Sequence, residues 1–341
     1  MGIYRYTLRR LLQAVPVLLG VVTITFFLSN AIPGNPVDIM LGPSPSQTAA
    51  EAIKAKYGLN QPLPVRYVNY VAGVLQGDLG TSLEYGVPVT QKIMERLPPT
   101  MLLIVSSFVF AIATAVPLGV ISAKRRNEPT DHAARVVSLI GVSTPSFWIG
   151  LMLILIFAYH LGWLPATNLV MPWADPAEFG LTAGPGLLDR IVARARVLGI
   201  AGTNLLLPML TLGTLQMAAI TRIERSSMLE VLSEDYVRLA RAYGVPERTI
   251  LRKHAFRNAQ LPVITIIGLQ LSAAFSGAVL TETVFEINGM GRLIVQSIYS
   301  LDYPVIMGTT LVVSFIFVVG VILTDISYAY VDPRVSYGER E

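Results

Sequence analysis

Long runs without charged side chains alternate with polar segments along the chain. Each of six such runs is long enough for a membrane-spanning helix, which needs about 20 residues. They are residues 11–37, 97–123, 136–174, 197–221, 258–281 and 303–324. In the third run the helix is expected to end near Leu161, because a glycine, an asparagine and two prolines follow over residues 162–172. The pattern predicts an all-α polytopic membrane protein with six transmembrane helices.

Composition supports a membrane location. Hydrophobic residues make up 53% of the chain and charged residues 14%, whereas soluble domains carry about 25% charged residues. Buried helices of a soluble protein seldom run this long without a charge. There are no cysteines, which excludes a disulfide framework, a thiolate zinc site and a catalytic thiol. The net charge of +4 and the absence of a basic run with interleaved aromatics give no sign of nucleic-acid binding.

The distribution of basic residues predicts the orientation. With both termini in the cytoplasm, most of the 26 lysines and arginines fall on that side, as the positive-inside rule requires. Arg9 and Arg10 would also fit a cleaved signal peptide, but the apolar run after them exceeds the roughly 7–15 residues of a signal core. The expected location is the inner membrane. The runs themselves are uncharged, which argues against an ion-coupled carrier, with Asp325 at the end of the last run as a weak contrary sign.

Two polar segments are predicted to fold. Between the first two spans, prolines and glycines separate short helical signals at residues 48–57 and 66–76, which indicates a small external domain. For the second of these predicted helices, residues 66–76, another interpretation remains open: a helix with a solvated face and no role beyond packing.

The segment 222–257 predicts an amphipathic helix, a sharp turn and a second helix. Its apolar residues recur every three or four positions: Met228, Leu232, Tyr236, Leu239 and Tyr243. Gly244 suits the end of the first helix, and Pro246 suits the first turn of the next. Spacing alone leaves two interpretations open, a helix on the membrane surface or a docking surface for a partner.

Several sequence patterns of enzymes are absent. The chain has no GxxxxGK(S/T) phosphate loop, no HExxH, no GxSxG and no paired histidine and carboxylate cluster. His132, His160 and His254 are isolated in sequence and are expected to serve in packing and hydrogen bonding. We therefore expect no ATPase or other enzymatic activity, no cofactor and no metal.

Several short sequence motifs together resemble those of the permease subunits of the dipeptide and oligopeptide branch of binding-protein-dependent ABC importers. They are GLNQPLPVRY at 58–67, GDLGTS at 77–82, STPSFWIG at 143–150, GWLPAT at 162–167, EDYVRLARAYG at 234–244, LRKHAFRNAQLPV at 251–263, ETVFEINGMGRL at 282–293 and DPRVSY at 332–337. The general importer signature, E-A-A, three residues, then Gly, is matched here only at Ala240 and Gly244, as in that branch. Asn168 and Asn288 replace the Gly and Pro common in relatives, and residues 172–197 match nothing in the family.

The resemblance implies a type I ABC importer permease fold. Its divisions would be residues 1–31 with the first span, an external domain at 32–96, the transmembrane domain at 97–329 with a cytoplasmic docking loop at 222–257, and a tail at 330–341. The partners would be a second homologous permease, two ATP-binding cassette ATPases, an extracytoplasmic binding protein and the lipid bilayer. The residues expected to contact the ATPase are Tyr236, Arg238, Ala240, Arg241, Gly244, Pro246, Arg248 and Arg252.

The implied function is import of di- or oligopeptides, driven by ATP that other subunits hydrolyse. One alternative is an ATP-independent carrier or channel, and another is a membrane scaffold without transport. A third keeps the ABC importer but changes the solute to a nickel chelate or an oligosaccharide. The sequence of the permease does not decide among these solutes.

Overall fold

The computed structural model describes residues 3–31, 46–56, 58, 60–181 and 186–331. Within these residues the regular structure is helical, apart from one antiparallel β-bridge between Thr81 and Pro88. Part of the expected external domain, residues 32–45, and the tail with DPRVSY lie outside the described residues.

Twelve α-helices are present in the described part of the chain. In chain order they are α1 Ile3–Ala31, α2 Gln47–Lys56, α3 Leu63–Leu75, α4 Val89–Lys124, α5 Pro129–Ser143, α6 Ser146–Leu153, α7 Leu187–Leu232, α8 Asp235–Ala242, α9 Glu247–Thr249, α10 Phe256–Val284, α11 Met290–Tyr299 and α12 Tyr303–Val331. Helix α6 continues as a π-helix over Ile154–His160, a second π-helix over Ile250–Ala255 leads into α10, and a 3-10 helix covers Pro176–Phe179.

The number of candidate spans matches the sequence-based prediction when bent helices are counted whole. Helices α1, α4, α7 and α12 are each long and apolar enough to cross a membrane. Two further candidates are bent: α5 with α6 and its π-helix, by 107°, and the stretch from Glu247 to Val284, by 50°. With each bent pair taken as one span, the total is six.

The third span corrects the expectation of one helix ending near Leu161. Its end is as predicted, since the π-helix stops at His160, but the helix breaks at Thr144 and Pro145. Thr144 is extended, with ψ of 129°. A proline disfavours helical geometry in the residue before it, so the Thr-Pro pair in the sequence was a usable signal.

The described residues divide into two compact units, and the larger holds residues 99–181, 186–288 and 323–331. Helix α7 is its centre and packs against α5, α6 and α10. Its largest core cluster comprises Leu103, Ile104, Phe108, Leu207, Leu212, Ala274, Ala278, Phe285 and Ile287. Close helix contact depends on small residues: a Cβ on Gly141 of α5 would lie 2.8 Å from the Cβ of Ala218 of α7. Glycine therefore allows these two backbones to approach, as in many membrane bundles.

Helix α7 is longer than the predicted span at both ends. Its first turns take up part of the segment 172–197, for which the sequence alone suggested no resemblance, and they pack through Ala193 and Val197. Arg194 Nη1 donates to the carbonyl oxygen of Ala174 at 2.9 Å, so this helical start also holds the preceding loop. At the other end the helix runs to Leu232, well into the segment 222–257.

Helix ends in this unit carry buried carboxylates, so the expected uncharged interior applies only to the centres of the spans. Glu224 of α7 is fully buried, and Gln260 Nε2 donates to its carboxylate at 3.2 Å. Glu282 of α10 is also buried and accepts from Thr100 Oγ1 at 2.5 Å. Both glutamates lie just beyond the uncharged runs, where the helices continue.

The smaller unit holds residues 4–31 and 289–322 and the described residues between 46 and 98. Its core cluster comprises Leu79, Val89, Ile93, Met290, Leu293 and Val305. Helix α3 meets α1 through aromatic side chains: Phe26 stacks on Tyr70 with ring centroids 5.7 Å apart, and Thr23 Oγ1 lies 2.7 Å from Tyr67 Oη. The second helical signal of the predicted external domain therefore forms a helix that packs on the first span.

Asp302 joins the irregular segment 82–84 to the start of α12. Its carboxylate is fully buried and accepts from Ser82 Oγ at 2.5 Å. It also accepts from the backbone N–H groups of Leu83 and Glu84, both at 3.2 Å, and Val305 N–H lies at 3.4 Å. We call these residues the Asp302 cluster.

Candidate functional site

The segment that follows α7, here called the loop 233–249, consists of the short helices α8 and α9 and their connections. It contains the turn that the sequence predicts. The expected single amphipathic helix over residues 228–243 is wrong, because the helix breaks at Ser233 and Glu234. Ser233 Oγ donates back to the carbonyl oxygen of Glu230 at 2.7 Å, and Glu234 is extended with ψ of 148°. Serine competes for backbone hydrogen bonds in this way and favours helix ends.

The break divides the predicted apolar face between two helices. Met228 belongs to α7 and is fully buried in a cluster with Ala123, Ala255 and Ala259. Leu232 is the last residue of α7, Tyr236 and Leu239 belong to α8, and Tyr243 directly follows α8.

Helix α8 is held by one buried side chain and leaves its larger apolar side chains exposed. Val237 is its only fully buried residue. Leu239 is 56% exposed and Tyr243 is 79% exposed. Among the residues that the structure describes, none covers these two side chains.

Tyr236 connects α8 to the start of α10. Its hydroxyl accepts from Asn258 Nδ2 at 3.0 Å and lies 3.4 Å from the carbonyl oxygen of His254, to which it donates. The position of α8 is therefore linked to a membrane helix as well as to the end of α7.

The turn after α8 has the hydrogen bonds of a Schellman motif. Val245 N–H donates to the carbonyl oxygen of Ala240 at 3.1 Å, and Gly244 N–H donates to that of Arg241 at 2.9 Å. Gly244 has φ of +75°, the left-handed conformation that this motif needs and that glycine adopts without strain. The prediction of a glycine-dependent turn is confirmed. Pro246 stands one position before α9, so the prediction that it lies in the first turn misses by one residue.

Ion pairs stiffen the two sides of the turn. Arg241 Nη2 donates to Glu247 Oε1 at 2.9 Å across the turn, and this hydrogen bond raises the pKa of the Arg241 guanidinium. Arg238 Nη1 lies 3.3 Å from Asp235 Oδ1 within α8. The turn thus has a defined shape while its outer surface stays polar and accessible.

The eight residues predicted to contact a partner fall on one continuous stretch. All four arginines among them are exposed, Ala240 is half-buried and Pro246 is exposed. Arg248 and Arg252 also line an open cavity of about 900 Å³. The sequence-based selection missed Lys253 and Arg257, which line the same cavity.

The selection of partner contacts also omitted Leu239 and Tyr243, which were identified only as part of an apolar face. Among the residues that the structure describes, no group of three or more histidine, aspartate and glutamate side chains could hold a metal ion. The stretch thus presents exposed apolar side chains and exposed arginines beside a turn of defined shape.

Comparison with known proteins gives matches over both parts of the chain. Residues 115–337 match the family described as binding-protein-dependent transport system inner membrane component, and residues 3–104 match the N-terminal domain that accompanies it.

Named relatives match along nearly the whole chain. The oligopeptide transport system permease protein AppB of Bacillus subtilis is 41% identical over 97% of this chain and 99% of its own. The probable D,D-dipeptide transport system permease protein DdpB of Escherichia coli is 41% identical over 95% of each chain, and the dipeptide transport system permease protein DppB of that species is 38% identical over 98% and 99%. The chain therefore belongs to the family of binding-protein-dependent transport system inner membrane components.

Proposed function

We propose that this chain forms half of the translocation pathway of an ATP-driven importer for di- or oligopeptides, and that the loop 233–249 docks on an ATPase subunit. The observation that carries the docking assignment is an exposed apolar pair: Leu239 on the helix that Val237 fixes, and Tyr243 directly after that helix. The peptide assignment is supported by the names of the relatives, which are permeases for dipeptides and oligopeptides.

The docking surface divides into a centre and a rim. Leu239 and Tyr243 are side chains of the kind that fill apolar pockets at the centre of interfaces, where aromatic residues often dominate binding. Arg238, Arg241 and Arg248 are exposed on the same stretch and would act on recognition and association rate more than on affinity.

Docking would transmit movement into the membrane helices through defined contacts. Val237 is fully buried, and Tyr236 is hydrogen-bonded to Asn258 at 3.0 Å. A displacement of α8 by an ATPase would therefore act on α10 directly and on α7 through the two-residue connection. These contacts give the loop a route for coupling ATP hydrolysis to opening and closing of the pathway.

The proposed assembly contains two homologous permeases, two ATPases and an extracytoplasmic binding protein. Both termini and the loop 233–249 lie in the cytoplasm, and the external domain of residues 32–96 lies outside. The bias of basic residues toward the loops on one side supports this orientation. Residues 97–329 form the transmembrane domain and 330–341 the tail.

Uptake of labelled substrates tests the function. A strain that lacks this chain should lose uptake of dipeptides or oligopeptides, and the wild-type chain should restore it. Normal peptide uptake in the deletion strain, together with loss of uptake of a nickel chelate or an oligosaccharide, would instead assign the non-peptide solute. Reporter fusions at Ser82 and Glu341 test the orientation, with an external signal expected at Ser82 and a cytoplasmic signal at Glu341.

A further inference from the structure

A cavity of about 580 Å³ lies between α5 and α7 at the end of α7 that leads into the loop 233–249. This volume falls within the range of roughly 300–1,000 Å³ that is usual for small-molecule sites. Two kinds of side chain line it. The polar ones are Ser122, His132, Arg135, Ser138, Thr221, Arg222, Arg225 and Ser226, and the apolar ones are Ala134, Val136, Leu139 and Val142.

The polar part of the cavity carries more positive charge than its neighbours neutralise. Asp131 is fully buried and is paired with Arg225, whose Nε and Nη2 donate to its two oxygens at 2.6 and 2.8 Å. Arg135 lies 3.8 Å from the same carboxylate and 2.7 Å from His132. Arg222 has no ion pair within the described part of the chain. Three arginines therefore line the cavity, while the one carboxylate paired with them contacts only Arg225 and Arg135, and an anionic group would complete the balance.

Thr221 is an independent sign of a missing polar partner. Thr221 is only 2% exposed, and its Oγ1 has no hydrogen-bond partner among the residues that the structure describes. A buried hydroxyl without a partner costs about 1–3 kcal/mol, and such groups are rare in folded proteins. Because Thr221 lines the cavity, a ligand with hydrogen-bonding oxygens would satisfy it.

The apolar part of the cavity continues onto the exposed side of α5. Leu139 is 68% exposed, and Val136 and Val142 on the same helix are exposed as well. Exposed aliphatic side chains of a spanning helix suit hydrocarbon, and a charged cavity next to them suits a headgroup. Basic pockets between membrane helices bind anionic headgroups in this way.

We propose that this cavity binds one anionic phospholipid, with its phosphate at Arg222 and Arg135 and an acyl chain along Leu139 and Val142. The proposal rests on the proposed function in one respect, the cytoplasmic orientation of this end of α7. It places a lipid next to the helix that leads into the docking loop. Arginine suits this role because its planar guanidinium pairs with phosphate oxygens through two hydrogen bonds.

Native mass spectrometry of the intact transporter tests the proposal. The complex is equilibrated with an equimolar mixture of phosphatidylglycerol and phosphatidylcholine, and the ratio of the two retained lipids is measured. The wild type should retain phosphatidylglycerol preferentially. Arg222→Gln should reduce that preference about tenfold, the effect expected for one lost charged hydrogen bond. Arg222→Lys should keep most of it, because the charge remains.

Arg126→Gln is the matched control, since Arg126 is exposed in the short loop after α4 and does not line the cavity. Its lipid ratio should equal that of the wild type. An unchanged ratio in Arg222→Gln would overturn the proposal. So would displacement of phosphatidylglycerol by an equal concentration of soluble glycerol phosphate. A photo-crosslinker at Leu139 should capture lipid, and capture of a second permease instead would also overturn it. If the wild type shows no preference for phosphatidylglycerol but ATPase subunits copurify normally, the lipid proposal fails and the proposed function stands. Absence of ATPase from the wild-type complex would count against the proposed function alone.

Discussion

The Asp302 cluster and the loop 233–249 both lie at the end of a long helix, α12 and α7 respectively, and they differ in where their side chains find partners. In the cluster, a fully buried carboxylate accepts from a serine hydroxyl and backbone N–H groups of the same chain. In the loop, one valine is buried while Leu239 and Tyr243 stay exposed. The first segment has its polar groups satisfied within the chain, and the second leaves two apolar side chains exposed.

The two segments differ in the reason for their side-chain arrangement. Backbone donors in a buried turn must be satisfied wherever they lie, so the Asp302 cluster is a requirement of folding. An exposed apolar pair on a fixed helix is not needed for folding and has a cost in solubility. The chain is a membrane subunit of an ABC importer whose ATPase is a separate subunit, which makes that surface the expected place of contact.

The largest expected effect is on the Asp302 cluster. Asp302→Ala removes the acceptor of Ser82 Oγ and of two backbone N–H groups. Leaving several buried donors without a partner should cost about 3 kcal/mol or more, at about 1–3 kcal/mol for each. The measurement is the thermal unfolding midpoint of the purified transporter in detergent.

Asp78→Ala is the control for that prediction. Asp78 accepts from Gly80 N–H at 2.8 Å but at an exposed site, where water can replace it, so its midpoint should change little. If Asp302→Ala unfolds at the same temperature as Asp78→Ala, the cluster does not hold this segment and the contrast with the loop disappears.

A medium effect is expected from the two sides of α8. Val237→Ala deletes two buried methyl groups and should destabilise the loop by about 1.5 kcal/mol, seen as faster amide exchange over residues 235–242. Leu239→Ala should leave exchange unchanged, because exposed substitutions stay within about 0.5 kcal/mol, but should weaken ATPase binding about tenfold. Equal ATPase binding by Leu239→Ala and the wild type would remove Leu239 from the interface.

The smallest expected effect concerns the ion pair across the turn. Arg241 and Glu247 are both about half-exposed, and exposed pairs contribute roughly 0.2–1 kcal/mol. A double-mutant cycle with Arg241→Ala and Glu247→Ala, read by amide exchange in the loop, should give a coupling energy in that range that shrinks at high salt. A coupling of several kcal/mol would mean that the ion pair, and not glycine, fixes the turn.

Local signals predicted local features well. Six uncharged runs gave the number of spans, and Gly244 with Pro246 marked the turn, because both depend on residues close in sequence. The helix break at Ser233 went unrecognised because the apolar spacing from Met228 to Tyr243 continues across it. The break at Thr144 had a signal in the following proline, but the length of the uncharged run outweighed it.

Long-range contacts were beyond the reach of the sequence. Ser82 and Asp302 lie 220 residues apart, and nothing in either neighbourhood indicates the other. Burial of Glu224 and Glu282 likewise depends on packing against other helices, which periodicity does not reveal. The arginines of the cavity between α5 and α7 come from both helices. They form one group only because the fold places these helices side by side.

Copurification of ATPase subunits with Gly244→Val and Gly162→Val transporters tests the docking assignment most directly. Both glycines have positive φ, +75° and +62°, and a Cβ at either would meet nothing within 4 Å, so both substitutions impose a similar backbone strain of about 1–3 kcal/mol. They differ in place, since only Gly244 shapes the turn of the loop 233–249. At equal membrane levels, Gly244→Val should lose most of its bound ATPase and its peptide uptake, while Gly162→Val should retain its ATPase. Wild-type amounts of ATPase on Gly244→Val would contradict the account.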